Sequence, residues 1–195
     1  MEKDKILQNR KSEYYVNELF PTRWSPRAFS SEDVNENDLM SLFEAARWAP
    51  SSFNEQPWRF IYAKRNSNDW ENIFSTLVEF NQSWAKNASY LIVIVSKDYY
   101  DKNQKDYFNS YFDTGAAWQN FALQANLKNL ITHAMGGFDK ELLAKKINLP
   151  ERHSIQAVIA LGKKGNLDEL PKELQEIEQI SDRKNINEFV IKGKF

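Results

Sequence analysis

Apolar positions recur along this chain at two spacings, and the switches between them outline its elements. Over 35–48 (NENDLMSLFEAARW) Leu39, Leu42, Phe43 and Ala46 fall at the i, i+3, i+4, i+7 spacing of one helix face. Asn35 can cap that helix, with Asp38 three residues on, and Pro50 helps stop it. Residues 3–18 predict a polar amphipathic helix, 69–80 a second and 139–147 a surface helix. The segment 113–130 (DTGAAWQNFALQANLKNL) predicts a long helix rich in small residues: Gly115, Ala116, Ala117, Ala122 and Ala125. Such residues admit a close neighbour, so this helix is expected at the centre of the fold or at a subunit contact. Residues 58–64 (WRFIYAK) predict a strand with Phe60 and Tyr62 on one face, and 154–164 another. The uninterrupted apolar run 89–96 (SYLIVIVS) predicts a central strand buried on both faces. The tail 187–195 is strand-like, with no partner nearby in sequence. Helices interspersed with about four strands give an α+β layer fold.

Composition narrows the function classes. A chain of 195 residues can enclose one good-sized core, so one domain over 1–195 is expected. The net charge of -1 gives no field favouring nucleic acid or an anionic membrane. The absence of cysteine excludes disulfides and thiolate metal sites and is compatible with a reducing cytoplasm. The N-terminus lacks an apolar signal core, and the run 90–95 is far too short to span a bilayer. Aromatics make up 14%, with six tryptophans, which suits a large core, a broad interface or a flat ligand.

The usual catalytic constellations are missing. There is no nucleophile elbow, no P-loop and no GxGxxG; His133 and His153 lack metal-ligand spacing, and no metal is expected. What remains is cationic and amide chemistry. In TRWSPRAF (22–29), Arg23, Ser25 and Arg27 alternate, so an extended chain would turn them to one side. They form either a cradle for a phosphate or other anion, or a pair of surface arginines. SDRKN (181–185) adds Arg183 and Lys184. The connection 49–58 (APSSFNEQPW) carries Ser51, Ser52, Asn54 and Gln56, whose amides and hydroxyls can read a polar heterocycle edge or simply stabilise a turn. AMGGF (134–138) offers Gly136 and Gly137, which permit positive φ or close approach of a ligand. Together these pieces describe an anionic, flat, polar-edged ligand.

On those residues the chain resembles the nitroreductase family of FMN-dependent oxidoreductases. The matching stretches are RWSPRAFS (23–30), LFEAARWAPSSFNEQPWRF (42–60), FNQSWAKNASYLIVIV (80–95), DTGAAWQNFALQA (113–125), AMGGFD (134–139) and DRKNINEFV (182–190), in the family's order. The resemblance implies a mostly antiparallel central sheet flanked by helices, in an intertwined homodimer. It implies two FMN sites at the interface, and a tail over about 186–195 that crosses to the partner. Arg23 and Ser25, with Trp24 where some relatives have histidine, would meet the phosphate and ribityl region, completed by Arg183 and Lys184. Arg27 would lie by the flavin's pyrimidine side and tune it. Pro50, Ser51, Ser52, Asn54 and Gln56 would line the flavin, partly from the partner chain. Asn81 would reach its polar edge, and Gly136 and Gly137 would bring backbone N–H near N5. Trp84 stands where some relatives carry a lysine. The flavin N5, not a side chain, would carry the chemistry. NAD(P)H would give a hydride and leave, and an electron-poor acceptor would follow in ping-pong order. Enone reduction, dehalogenation, flavin breakdown and non-catalytic FMN binding are the alternatives on the same scaffold.

Overall fold

A computed structural model of the chain describes residues 2–195. One sheet organises it. Its strands are β1 (Trp58–Lys64), β2 (Tyr90–Lys97), β3 (Leu130–Met135) and β4 (His153–Lys163), in the order β1-β2-β4-β3. Every neighbouring pair is antiparallel. Around it lie α1 (Glu2–Asn9), α2 (Leu19–Thr22), α3 (Glu36–Arg47), α4 (Asn68–Phe74), α5 (Glu79–Ala85), α6 (Ser110–Leu127), α7 (Lys140–Lys146) and α8 (Lys172–Ile177).

The pleat of β2 separates two cores. Leu91, Val93 and Val95 face a cluster with Trp70, Ile73, Trp84 and Leu143. Tyr90, Ile92 and Ile94 face the opposite cluster, built from Leu39, Leu42 and Ala46 of α3 and Ala117, Phe121 and Ala125 of α6. All eight residues of β2 are buried, as its apolar run predicts. The α3 cap forms as expected: the Asn35 side chain accepts the Asp38 backbone N–H at 2.8 Å. The small residues of α6 do admit a close neighbour, which is α3 and the sheet.

Several expectations need correction. The helix expected over 3–18 ends at Asn9, and Arg10 folds its guanidinium back onto the carbonyls of Pro21 and Arg23. The helix expected over 69–80 breaks after Phe74, because Leu77 bridges to Phe138 and the Val78 N–H bonds Gly137 O, pulling the chain off its axis before α5 begins. The tail 187–195 is not a strand: beyond a 3-10 turn at Ile186–Glu188 it is irregular, with Phe189, Val190, Ile191 and Phe195 exposed. The fourth strand is instead β3, hidden between a helix and a glycine loop. Asn129, with φ 56, ends the α6 connection in the left-handed region, and β-branched Ile131 and Thr132 then extend along β4.

Candidate functional site

At the C-terminal end of α6 the chain gathers three arginines. The Asn126 amide donates to Thr22 Oγ1 at 2.9 Å and so ties the start of the 22–29 segment to α6. Immediately after, Arg23 is half-buried and its Nη1 donates to Ser25 Oγ at 3.2 Å, so these two side chains meet as their alternation predicts. Among the described residues no carboxylate forms an ion pair with Arg23. Burial, and then the charge of Arg183, hold its guanidinium below the usual arginine range. Arg183 itself is exposed and bonds only its own loop, at Ser181 Oγ and Asp182 O. Lys184 is exposed beside it.

Arg10, which no motif marks, joins the two segments. It is buried at 7% exposure. Its Nε donates to Ser181 O at 2.7 Å, its Nη1 to Pro21 O and Arg23 O at 2.9 Å each, and its Nη2 to Ser181 Oγ at 3.2 Å. Burial, then Arg183 and Arg23, lower its pKa, against a smaller opposing effect of Asp182. Like charges held this close cost free energy unless an anion joins them.

Arg27 behaves differently. Its Nη1 reaches Glu178 Oε2 at 3.2 Å, and the other Glu178 oxygen accepts the backbone N–H groups of Arg27 and Ala28. Glu178 comes from just beyond α8, and its side chain is only 4% exposed. Arg27 Nε is buried with no partner, and Arg27 Cζ lies 5.9 Å from the Phe80 ring centroid. Next to it His133 of β3 meets Pro26 O through Nδ1 at 3.2 Å and packs its ring 4.6 Å from that of Trp84. Burial holds this imidazole below the usual histidine value. Trp84 Nε1 is likewise buried without a partner. Trp24 lies under Lys164, whose ammonium is 5.4 Å from its ring.

Beyond β3, Asn81 is buried and its Nδ2 donates to Gly137 O at 2.9 Å. A Cβ on Gly137 would stand 2.8 Å from that same nitrogen, so close approach, not positive φ, demands glycine there. A Cβ on Gly136 would meet open space.

The 50–57 loop sits at the other end of α6. Asp113 in its first turn accepts the Ser52 N–H at 2.9 Å and also the Tyr107 hydroxyl. Burial, reinforced by Asp113, raises the Tyr107 pKa far out of its ordinary range, so the phenol remains a donor. Ser51 Oγ accepts the Gln56 N–H at 2.9 Å, and buried Lys97 binds Glu55 at 2.8 Å. These bonds hold Phe53, Asn54 and Gln56 at φ 53, 57 and 50, where non-glycine residues are strained. Phe53 is 91% exposed at the tip. Pro50 is exposed before the loop.

The sequence candidates therefore fall into two groups. Arg23, Trp24, Ser25, Arg27, Asn81, Gly136, Gly137, Arg183 and Lys184 belong to the elements around β3 and the end of α6, whereas Ser51–Gln56 belong to its start. Asn126, which binds Thr22, lies thirteen residues beyond Asp113, which binds Ser52, and at a rise of ~1.5 Å per residue the two anchors are about 20 Å apart. Three residues that build these groups escaped the sequence reading. Arg10 and Glu178 lie among alternating charges that give no pattern, and Asp113 opened a recognisable stretch without drawing a role.

The fold coincides with that of known proteins. The chain belongs to the nitroreductase family, whose sequence model matches residues 21–75 and 66–163. A protein of Archaeoglobus fulgidus named as an NADH dehydrogenase/NAD(P)H nitroreductase is 28% identical over 168 residues, 84% of this chain and 90% of that one. A solved structure described as an oxidoreductase containing FMN superposes with a TM-score of 0.91 at 40% identity, covering 96% of each chain. A nitroreductase from Desulfovibrio desulfuricans, solved with FMN, shares the fold with a TM-score of 0.74 at 22% identity, covering 94% of this chain and 99% of the other.

Proposed function

We propose that this chain is a single-domain, cytoplasmic, FMN-dependent oxidoreductase that uses NAD(P)H to reduce nitroaromatics, quinones or similar electron-poor acceptors. The observation that carries the reading is the arginine group at the end of α6, in which Arg10 is buried, Arg23 is half-buried without a carboxylate, and Arg183 is exposed beside them. A phosphate monoester is a dianion with the charge and acceptor count that such a group lacks. Bound FMN would accept a hydride from NAD(P)H and deliver it to the acceptor, the two substrates taking turns at one face.

The chain's own residues bind and orient. Arg23, Ser25, Arg183 and Lys184 hold the phosphate, with Trp24 alongside. Arg27 faces the pyrimidine side. Asn81 fixes the Gly136–Gly137 backbone toward the reactive edge. Pro50, Ser51, Ser52, Asn54 and Gln56 serve the site of a second copy, because the anchors that fix this loop and the arginine segment stand about 20 Å apart along α6. A homodimer is also supported by the exposed apolar side chains of Phe108, just before α6, and of Phe112 and Leu127 on it, and by the uncovered tail. No helix among the described residues is long and apolar enough to cross a membrane.

Purification with FMN decides the reading. The dimer is expected to be yellow, to bleach with NADH or NADPH in the absence of air, and to recolour with a quinone. Parallel double-reciprocal lines are expected when NAD(P)H is varied at fixed quinone. A chain that takes up no flavin overturns the proposal, and intersecting lines overturn the shared site. Removal of 186–195 is expected to weaken both dimer and FMN affinity; a stable flavin-loaded monomer of that truncation contradicts the crossing tail.

A further inference from the structure

Arg27 is the cation that the family resemblance places at the flavin's pyrimidine side, yet it does not stand alone. Glu178 meets it with a carboxylate that is almost wholly withdrawn from water. Three donors converge on that carboxylate: the backbone N–H of Arg27, the backbone N–H of Ala28 and Arg27 Nη1. The neighbouring groups differ in charge. His133 is buried and held below the ordinary histidine value, so it is neutral at pH 7. Trp84 carries no charge, whereas Lys164, partly buried beside Trp24, has its pKa lowered by burial and raised in part by Glu178, so the same carboxylate also acts on this second cation. In a buried setting a carboxylate at 3.2 Å cancels most of a guanidinium's field at a distance.

We propose that Glu178 is an electrostatic positioning residue, the internal counter-ion that fixes Arg27 and limits how far its charge favours the reduced form of the bound cofactor. The inference rests on the functional reading above, because it needs FMN beside Arg27. Two-electron reduction by hydride leaves the cofactor more negative, so any buried carboxylate nearby disfavours the reduced form and any cation favours it. Glu178 therefore makes the bound cofactor a stronger reductant than Arg27 alone would. It does so while its two backbone bonds hold the 23–28 segment in shape, which couples the anchoring of the segment to the cofactor's potential.

Glu178→Gln separates these two tasks. The amide oxygen can still accept the backbone N–H groups of Arg27 and Ala28, and the negative charge is gone. Spectroelectrochemistry of the FMN-loaded dimer is expected to show the reduced form favoured about tenfold more than in the wild type, a midpoint shift of about 30 mV upward for a two-electron couple. The double variant Glu178→Gln, Arg27→Gln exchanges the ion pair for a neutral pair and avoids a lone buried charge. Its potential is expected close to wild type, while Arg27→Gln alone lowers it. An unchanged potential in a fully flavinated Glu178→Gln dimer overturns the proposal, as does a double variant whose potential falls as far as that of Arg27→Gln. FMN and riboflavin titrations of the wild type distinguish the two levels. Retained preference for FMN with an unmoved potential rejects the role of Glu178 alone, and a wild type that binds neither flavin rejects the functional reading together with this inference.

Discussion

The two ends of α6 solve opposite problems. At its start, Asp113 accepts from the Ser52 N–H and the Tyr107 hydroxyl and Lys97 pairs with Glu55, so the buried charges have partners, although the neighbouring Thr114 hydroxyl has none among the described residues. At its end, Arg10, Arg23 and Arg183 repel one another, and Arg10 spends its donors on backbone carbonyls, not on carboxylates. The charges of the first end are satisfied within the chain. The second is left with surplus positive charge, offset only in part by Asp182. A self-satisfied loop works by shape, holding a strained tip rigidly for use elsewhere. An unsatisfied cluster works by attraction, and its strain is relieved when the ligand arrives.

The largest expected effect falls at the unsatisfied end. Arg23→Ala removes charge-assisted bonds worth about 1.5–3 kcal/mol, so FMN affinity should fall roughly 10- to 100-fold, while riboflavin, which lacks the phosphate, should hardly change. Fluorescence titration with both flavins reads this; equal weakening of the two would make Arg23 a structural residue. Arg183→Ala should act in the same direction and less strongly, since that side chain is exposed and screened.

Asp113→Ala tests the other end. It strips the acceptor from the Ser52 N–H and the Tyr107 hydroxyl, which should cost about 1–3 kcal/mol in urea unfolding. The ratio of FMN to riboflavin affinity should stay that of the wild type. A changed ratio would mean that the two ends are not independent.

A smaller effect is expected from pH. The folded chain keeps His133 below the ordinary value of 6.5 through burial, so the unfolded chain binds a proton that the folded one refuses. Stability should therefore decline as pH falls through about 6.5 toward the lower folded value, and be fully present above it. His133→Gln should flatten that part of the curve between about pH 7 and pH 5, measured by thermal melts. An identical slope in the variant would remove His133 from the account. The smallest change concerns the strained tip: Phe53→Gly relieves a left-handed conformation at the cost of chain entropy, and the net should lie within about 0.5 kcal/mol. A larger loss would show that the exposed ring is holding the loop through Tyr100, which it meets edge-on at 6.2 Å.

What was legible in the sequence follows from how far apart the determining residues lie. The central strand, the α3 cap and the small-residue helix each depend on neighbours a few positions away, and each formed where its pattern lies. β3 was not legible because six residues following a left-handed asparagine carry no period of their own; β4 pairing makes them a strand. The pairing of Arg23 with Ser25 could be anticipated from alternation. The Arg27–Glu178 pair spans 151 residues and the Arg10–Ser181 bond 171, and no local pattern encodes either. The stretches carrying the family resemblance named residues that the structure gathers at the two ends of α6, in keeping with the expectation that 50–56 serve the flavin partly from a partner chain.

β2 is enclosed on all sides, with strands at both edges and a separate core on each face. Its amide hydrogens can meet solvent only when both cores and both pairings open together, which amounts to unfolding the chain. In deuterium-exchange measurements these amides should therefore form the slowest group, and their protection should report the global stability of the protein. The irregular tail beyond Glu188 offers the opposite reference, because within one chain its amides have little to shield them. Comparing the two at rising protein concentration turns the tail into an internal gauge of assembly: slowing confined to 189–195, with β2 unchanged, would register a second copy closing over it before the fold itself is affected.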